Sequence, residues 1–292
     1  MIARTTSILG LTALAMAAFA GNSLLCRIAL RETGIDAATF TSVRVASGAL
    51  VLWLIVRMRG KRPPGRGSWL SAAALFAYAA GFSFAYVSLP ASTGALLLFG
   101  AVQATMIGHG LRSGERFVGI QWLGLAMAFA GVVGLMLPGL AAPPLFGSVL
   151  MLGAGVAWGV YSLRGRGAGD ATAVTAGNFL RAVPMAAALS MVLWRDATID
   201  PAGFGYAVAS GALASGIGYA VWYTALPTLK ATQAATVQLS VPVLAALGGI
   251  LFLGEPATLR LVVASSAILG GITLVILVRQ RALVDVRVRE NR

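Results

Sequence analysis

The sequence predicts an all-α polytopic membrane protein, with ten transmembrane helices arranged as two inverted five-helix repeats around a central cavity. Composition, long apolar blocks and an internal repeat lead to this fold class. Of the 292 residues, 58% are hydrophobic and only 11% are charged, and the mean hydropathy is +0.86. A soluble domain of this length needs far more charge to cover its surface.

Ten apolar blocks each approach the roughly 20 residues that a membrane helix needs. Most connections between them are very short, so neighbouring helices are expected to be antiparallel. The first block contains Ala18-Phe19-Ala20, which resembles a signal-peptidase site, but the repeat described below needs this helix, so we expect it to stay. The blocks lie at about Ser7–Leu30, Asp36–Arg57, Trp69–Leu89, Ala91–Leu111, Phe117–Leu137, Leu145–Arg164, Ala171–Trp194, Gly203–Leu226, Lys230–Phe252 and Leu259–Val278.

The distribution of basic residues predicts the orientation. With the N-terminus in the cytoplasm, sixteen Lys and Arg residues fall on the cytoplasmic side and four (Arg27, Arg31, Arg195 and Arg260) on the other. Cytoplasmic loops carry such an excess of basic residues. We therefore expect a multi-pass protein of the bacterial inner membrane with both termini in the cytoplasm. The net charge of +13 is spread between apolar blocks, so nucleic acid is not an expected partner.

The residue types that carry enzyme and metal chemistry are scarce. The chain has one cysteine, Cys26, and one histidine, His109. These cannot form a disulfide framework or a Cys/His metal cluster. The sequence also contains no phosphate-binding loop. We expect no metal, no cofactor and no catalytic residue, and therefore not an enzyme.

An internal repeat connects the two halves of the chain. Gly81 to Pro90 and Gly218 to Pro227 share the pattern G-x-x-x-x-Y-x-x-L-P, and other markers recur at or near the same offset. Four matches in the same order, in corresponding blocks, indicate two related halves. The other markers are Arg44 with Arg181, Ala20-Gly21 with Trp158-Gly159, and Gly114-Glu115 with Gly254-Glu255.

Each half holds five helices, an odd number, so the second half must enter the membrane upside down relative to the first. Transporters use inverted repeats because two similar halves can exchange conformations and open a central site to either side in turn. A receptor or a membrane enzyme has no general need for such a repeat. We expect a first repeat at 1–140, a second at 141–283 and a basic cytoplasmic tail at 284–292.

These markers together resemble the ten-helix EamA-type branch of the drug/metabolite transporter superfamily, over nearly the whole chain. The resemblance implies export of small metabolites from a cavity walled by helices one, three, four, six, eight and nine. Within the superfamily, the aromatic-rich helices are most similar to the aromatic amino-acid exporter branch. Ala20 departs from the Trp often found at that position in the first copy, which would alter the pocket there.

Two arginines lie within predicted spans. A charge at mid-helix costs roughly 2.5–3.5 kcal/mol on insertion scales, so Arg44 and Arg181 need an explanation. Either one attracts a substrate carboxylate, or each guanidinium snorkels or caps carbonyl groups of a neighbouring helix. The resemblance places the second helix of each half outside the cavity, which favours the structural reading.

All nine acidic residues fall in loops, at the ends of spans or in the tail. No mid-membrane carboxylate is therefore available to bind and release a proton, as proton-coupled antiporters require. His109 lies at the cytoplasmic end of the fourth span, where interfacial packing explains it better than a proton relay. We expect transport or exchange without obligatory proton coupling.

Helical spacing predicts the residues that line the cavity. Aromatic residues three or four positions apart share one face of a helix, and such pairs occur in the third and sixth spans. Buried amides in the fourth and ninth spans must pair with another helix or with a ligand. Plain helix packing is the alternative for the aromatic members. The predicted substrate-binding residues are Tyr78 and Phe82, Trp158 and Tyr161, their eighth-span counterparts Ser215 and Tyr219, and the amides Gln103 and Gln238.

A pocket of aromatic faces, amides and hydroxyls without a fixed anion suits a largely apolar zwitterion. We therefore expect an exporter of amino acids, including aromatic and other neutral ones, that works as a monomer in the lipid bilayer. An exporter of other metabolites or drugs is the alternative within transport. A membrane-embedded enzyme or receptor is the alternative outside it.

Overall fold

The computed structural model of this chain describes residues 2–60, 67–114, 117–139, 142–165, 169–229, 234 and 237–290. In the two end helices, only the backbone is described before Ile8 and after Leu277. Some residues used in the sequence analysis lie outside the described residues. They are Glu115 and the loop and tail cations Lys61, Arg62, Arg66, Arg116, Arg166, Lys230 and Arg292.

Ten helices make up the described part of the chain, which confirms the predicted class. A π-helical segment, Ala209–Ile217, lies in the middle of α8. The described ranges contain no β-strand. The helices are α1 (Ile2–Glu32), α2 (Ala37–Met58), α3 (Trp69–Tyr86), α4 (Ala91–Arg112), α5 (Gly119–Met136), α6 (Leu145–Arg164), α7 (Ala171–Val192), α8 (Pro201–Ala225), α9 (Ser240–Leu253) and α10 (Leu259–Glu290).

Eight of these helices are long and apolar enough to cross a membrane. The other two are α7, which carries Asn178, Arg181 and Pro184, and α9, whose described part has 14 residues. The predicted span boundaries agree with the helix ends to within a few residues, except at three places. Helix α1 begins five residues earlier, α9 is described as a continuous helix only from Ser240, and α10 continues to Glu290, through most of the predicted tail.

Helix contacts follow the internal repeat. Helices α2 and α7 pack against each other, and so do α4 and α9, and α5 and α10. Helix α3 packs on α6 and α7, and its counterpart α8 packs on α1 and α2. Each of these contacts has an equivalent contact between the counterpart helices of the other half. The core therefore lies where helices of both halves meet, and it is built of their inward-facing apolar side chains.

The loops that lead into α2 and α8 bind each other. Asp36 caps α2 by accepting hydrogen bonds from the Ala38 and Thr39 amides, and it also accepts one from the Thr198 amide at 2.9 Å. Asp200 caps α8 through the Gly203 amide and accepts a hydrogen bond from the Gly34 amide. Side-chain caps satisfy helix-end amides that have no intrahelical partner. Here they also connect the two halves at one end of the bundle.

The Asp36 carboxyl makes stability depend on pH. Burial alone would raise its pKa, but hydrogen bonds from Thr39, Thr198 and Ala38 outweigh burial and hold the pKa below its usual value. A carboxyl whose pKa is lowered by folding contributes stability above its unfolded pKa of about 3.9, and that stability is lost as the pH falls through the folded value. We expect Asp36→Asn to lower the melting temperature at pH 7 and to flatten its fall between pH 6 and 3. Thermal unfolding in detergent checks this, with exposed Asp196 changed to Asn as the control. If the melting temperature of both variants depends on pH in the same way, the prediction is contradicted.

Small residues allow α5 and α10 to approach closely. A Cβ added to Gly124 would lie 2.6 Å from the Gly271 carbonyl oxygen, and Gly271 faces Gly124 in the same way. Such small-residue contacts are typical of membrane helix pairs. They explain the Gly124-x-x-x-Ala128 pattern, because Ala128 also lies against Gly271.

Replacing Gly124 with alanine should separate α5 from α10. Overpacking of this kind costs about 1–3 kcal/mol, and we expect a lower melting temperature in detergent. Gly134 in the same helix is the matched control, because nothing lies within 4 Å of a Cβ added there. Equal melting temperatures for Gly124→Ala and Gly134→Ala would show that the contact is not tight in the folded protein.

Candidate functional site

Five aromatic side chains from both halves meet at the centre of the bundle. We call Tyr78, Phe82, Trp158, Tyr161 and Tyr219 the central aromatic cluster. Trp158 is its middle member, with ring centroids 4.8 Å from Tyr78, 5.3 Å from Tyr161 and 5.3 Å from Tyr219. The Tyr161 and Tyr219 rings are stacked on it, at 28° and 27° between planes. Phe82 joins through Tyr78, at 5.4 Å.

Helical spacing brings this cluster together. Residues 78 and 82 in α3, and 158 and 161 in α6, lie on the faces where these two helices pack. Tyr219 begins the turn of α8 that follows the π-helical segment. Four members of the cluster are buried, whereas Trp158 is half-buried. Five of the eight predicted site residues therefore form one contiguous group.

Two phenylalanine rings enclose the Tyr219 side of the cluster. Phe19 in α1 and Phe179 in α7 approach Tyr219 edge-on, at 5.5 and 6.0 Å between centroids. Neither was singled out from the sequence, because an isolated Phe in an apolar helix has no distinguishing signal. Five helices, α1, α3, α6, α7 and α8, thus contribute rings to the centre.

Arg44 places a cation directly beside these rings. Its side chain is 2% exposed, and Nη2 donates a hydrogen bond to the Tyr78 hydroxyl at 2.9 Å. The guanidinium carbon lies 5.2 Å from the Tyr78 ring centroid and 4.8 Å from that of Phe82, within cation–π range. Nη1 has no hydrogen-bond partner among the described residues. The guanidinium therefore points into the centre, and the expectation that Arg44 caps carbonyl groups is wrong.

Close packing of α2 on α8 holds Arg44 in this place. A Cβ added to Gly211, in the π-helical segment of α8, would collide with the Arg44 carbonyl and with the Ser47 hydroxyl. Only glycine fits between the two backbones. π-Helical segments are frequent at functional sites because they change the direction of side chains within a helix. Here the segment is flanked by Arg44 on one side and by Tyr219 at its end.

A polar chain connects α1 and α8 to the same hydroxyl. Asn22 Nδ2 lies 3.4 Å from the Tyr78 hydroxyl, and Asn22 Oδ1 accepts a hydrogen bond of 2.6 Å from Ser210. All of these groups are buried. The Tyr78 hydroxyl thus accepts from two donors, which fixes the ring that faces Trp158.

The repeat partner of Arg44 behaves differently. Arg181 Nη1 donates to the Gly177 carbonyl of its own helix at 2.9 Å, and the side chain is half-buried. Ser215 stands in α8 where Tyr78 stands in α3, and its buried hydroxyl has no hydrogen-bond partner among the described residues. A serine hydroxyl does not extend as far as a tyrosine hydroxyl, so Arg181 has no inward partner of that kind. The interpretation that the guanidinium binds a helix carbonyl group therefore fits Arg181 but not Arg44.

Among the described residues, no hydrogen bond joins Gln103, Gln238 or Ser215 to the cluster. Gln103 is buried, and its Nε2 has no partner in the described part of the chain. Gln238 is half-buried, shortly before α9. Ser215 lies one helical turn before Tyr219. Tyr161 also has a structural role, because its hydroxyl lies 3.3 Å from Thr175 and accepts from Asn178.

A second polar assembly closes one end of the centre, and we call it the Glu255 latch. Glu255 accepts hydrogen bonds from the Ala91 and Ser92 amides at the N-terminus of α4, where a carboxylate is favoured. Arg27 lies 3.8 Å from the same carboxylate and donates to the Tyr86 and Val87 carbonyls. The latch therefore connects α1, the end of α3, the start of α4 and the loop before α10.

The EamA-like transporter family matches this chain twice, over residues 6–137 and 145–277. The chain belongs to the EamA-like transporter family. Its two matches correspond to the two groups of five helices, and the family identifies a membrane protein that transports small molecules.

Individual relatives are similar to most of this chain. An uncharacterized protein of Pseudomonas aeruginosa is 59% identical over 268 residues, which are 91% of this chain and 93% of that protein. An uncharacterized transporter of Archaeoglobus fulgidus is 28% identical over 260 residues, 84% of this chain and 89% of that one. A solved crystal structure shares the fold of this EamA-like transporter, with a TM-score of 0.65 and 18% identity over 94% of this chain and 98% of that chain.

Proposed function

We propose that this EamA-like transporter exports small metabolites, chiefly amino acids including aromatic and other neutral ones, by alternating access. The observation that carries the proposal is the central aromatic cluster, in which Trp158 of one half lies between rings of both halves. Aromatic faces with nearby hydroxyl and amide groups recognise a flat apolar body that has a polar end. Because the cluster lies where the halves meet, relative movement of the halves would open it.

Transport begins when a substrate ring takes the place of one ring–ring contact around Trp158. Its polar end then reaches the buried hydrogen-bonding groups of Tyr78 and Asn22. Contacts at both ends of the bundle favour an occluded centre. One is the Glu255 latch, and the other is the side-chain oxygen Oδ1 of Asn178, which accepts a hydrogen bond from the Ser68 amide at 2.9 Å. When the contacts at one end break while those at the other end stay intact, the site opens to one side of the membrane at a time.

The proposed setting is the bacterial inner membrane, with both termini in the cytoplasm and the chain acting as a monomer. The excess of basic residues on one side supports that orientation. The Glu255 latch then faces the periplasm. Coupling to protons is not proposed, because helices α2 to α9 contain no Asp or Glu.

Counterflow in proteoliposomes tests the proposal. Vesicles are preloaded with unlabelled phenylalanine, and entry of labelled phenylalanine is followed with and without a pH gradient. We expect uptake that other neutral amino acids compete for and that a pH gradient does not accelerate. Absence of uptake by folded protein would remove the amino-acid assignment and favour another metabolite or drug as cargo. Clear acceleration by the gradient would contradict transport without proton coupling.

A further inference from the structure

The unpaired charge of Arg44 is the feature that the proposed cargo leaves unexplained. Its guanidinium is buried against Tyr78 and Phe82, and Nη1 has no hydrogen-bond partner in the described part of the chain. Helices α2, α3, α6, α7 and α8 contain no Asp or Glu. The carboxylate of Glu255 is already bound to Arg27 and to the start of α4. A buried cation without an anionic partner is strongly disfavoured in a membrane.

The second half of the molecule shows that this burial is not a requirement of the fold. Arg181 occupies the equivalent position and donates to a carbonyl of its own helix, with its side chain half-buried. Arg44 instead is held inward by the Tyr78 hydroxyl. In one repeat the arginine is thus paired within its own helix. In the other, a guanidinium nitrogen beside the aromatic rings has no hydrogen-bond partner among the described residues.

We infer that the substrate supplies the missing anion: Arg44 binds a carboxylate, and the central site takes an aromatic monocarboxylate anion. The inference rests on the proposed role of the central aromatic cluster as the substrate site. A guanidinium presents its donors in a planar fork that matches the two oxygens of a carboxylate. The guanidinium carbon lies 4.8 Å from the Phe82 ring centroid, so a carboxylate bound to Nη1 keeps the rest of the substrate next to the rings.

If Arg44 binds the carboxylate, the affinity for an amino acid depends on its carboxylate and not on its ammonium group. A ligand carboxylate can bind Arg44. A ligand ammonium group has no acidic side chain to bind in α2, α3, α6, α7 or α8, and it lies near the positive charge of Arg44. Among phenyl compounds of equal length, we expect 3-phenylpropanoate to bind at least as well as phenylalanine. Phenethylamine and phenylalaninamide, which lack a carboxylate, should bind at least about tenfold more weakly, since a charged hydrogen-bond pair is lost.

The test uses the full-length protein and two readouts. Inhibition of phenylalanine counterflow and the ligand-induced rise in melting temperature in detergent are measured with the four compounds. Ligands that bind only the folded protein raise its melting temperature. Arg44→Gln should lower the affinity for 3-phenylpropanoate by about 10- to 100-fold, and Arg44→Lys should lower it less. Arg181→Gln, the repeat equivalent, is the matched control and should leave it unchanged.

The outcomes separate this inference from the proposed function. Stabilisation by 3-phenylpropanoate without any effect of phenylalanine would support the carboxylate site and remove the amino-acid cargo. Phenylalanine transport that phenethylamine inhibits as well as 3-phenylpropanoate does would overturn the carboxylate site and keep the cargo. Unchanged affinity for 3-phenylpropanoate in a folded Arg44→Gln variant would overturn it too. If that variant does not fold, the comparison of the four compounds on the unaltered protein decides the question.

Discussion

Replacing Trp158 with alanine should lower phenylalanine counterflow by at least about tenfold. Trp158 stacks on Tyr161 and Tyr219 and contacts Tyr78, so it joins aromatic rings of both halves. A stacked aromatic pair contributes about 0.5–1.5 kcal/mol beyond the area that it buries. In Trp158→Ala, a substrate ring bound at this position would lose the stacking contribution and part of its buried surface. Each 1.4 kcal/mol corresponds to a tenfold change in binding.

A second tryptophan provides the control for this prediction. Trp122 in α5 is 53% exposed and meets only Phe117 among the described rings, so it faces the lipid. Trp122→Ala should keep counterflow near that of the unaltered protein, and Trp158→Phe should keep most of it. Unchanged counterflow in Trp158→Ala that elutes as a single folded species would place the substrate elsewhere in the bundle.

The fold was predictable because its signals are long and redundant. Ten apolar blocks, short loops and a repeated pattern each specify the same ten helices. The differences lie at the start of α1, before α9 and at the end of α10. The π-helical segment of α8 was not predicted either, because it depends on a glycine contact with α2 that no local pattern reports.

The candidate site was only partly predictable, because spacing identifies a shared face but not what that face meets. The aromatic residues were found in this way. The direction of Arg44 was not, since the Arg signal is identical in both halves. The difference lies at the position that faces it, which is Tyr78 in one half and the shorter Ser215, not bonded to Arg181, in the other. Glu255 marked the repeat in the sequence, but its bonds to α4 require the folded structure. The amides Gln103 and Gln238 show why a polar residue in an apolar helix does not identify a site by itself.

Glu255→Gln should open the end of the bundle that the latch closes. Arg27 is 4% exposed and would lose its only carboxylate partner among the described residues. Removing one member of a buried ion pair costs about 3–5 kcal/mol, because the other charge stays buried. The carboxylate reaches α4 over Gly249, where a Cβ would collide with it, so a larger residue at 249 should have the same effect. We expect a clearly lower melting temperature in detergent.

The single cysteine of the chain reports the opening directly. Cys26 precedes Arg27 and is fully buried in the latched structure. Its labelling by a membrane-impermeant maleimide should accelerate several-fold in Glu255→Gln. Glu32→Gln is the matched control, because the Arg31–Glu32 pair is exposed and such pairs contribute only about 0–1 kcal/mol. The double change Arg27→Met and Glu255→Gln should recover much of the melting temperature, since no buried charge is left alone. Equal labelling and melting in Glu255→Gln and Glu32→Gln would mean that the latch does not hold this end closed.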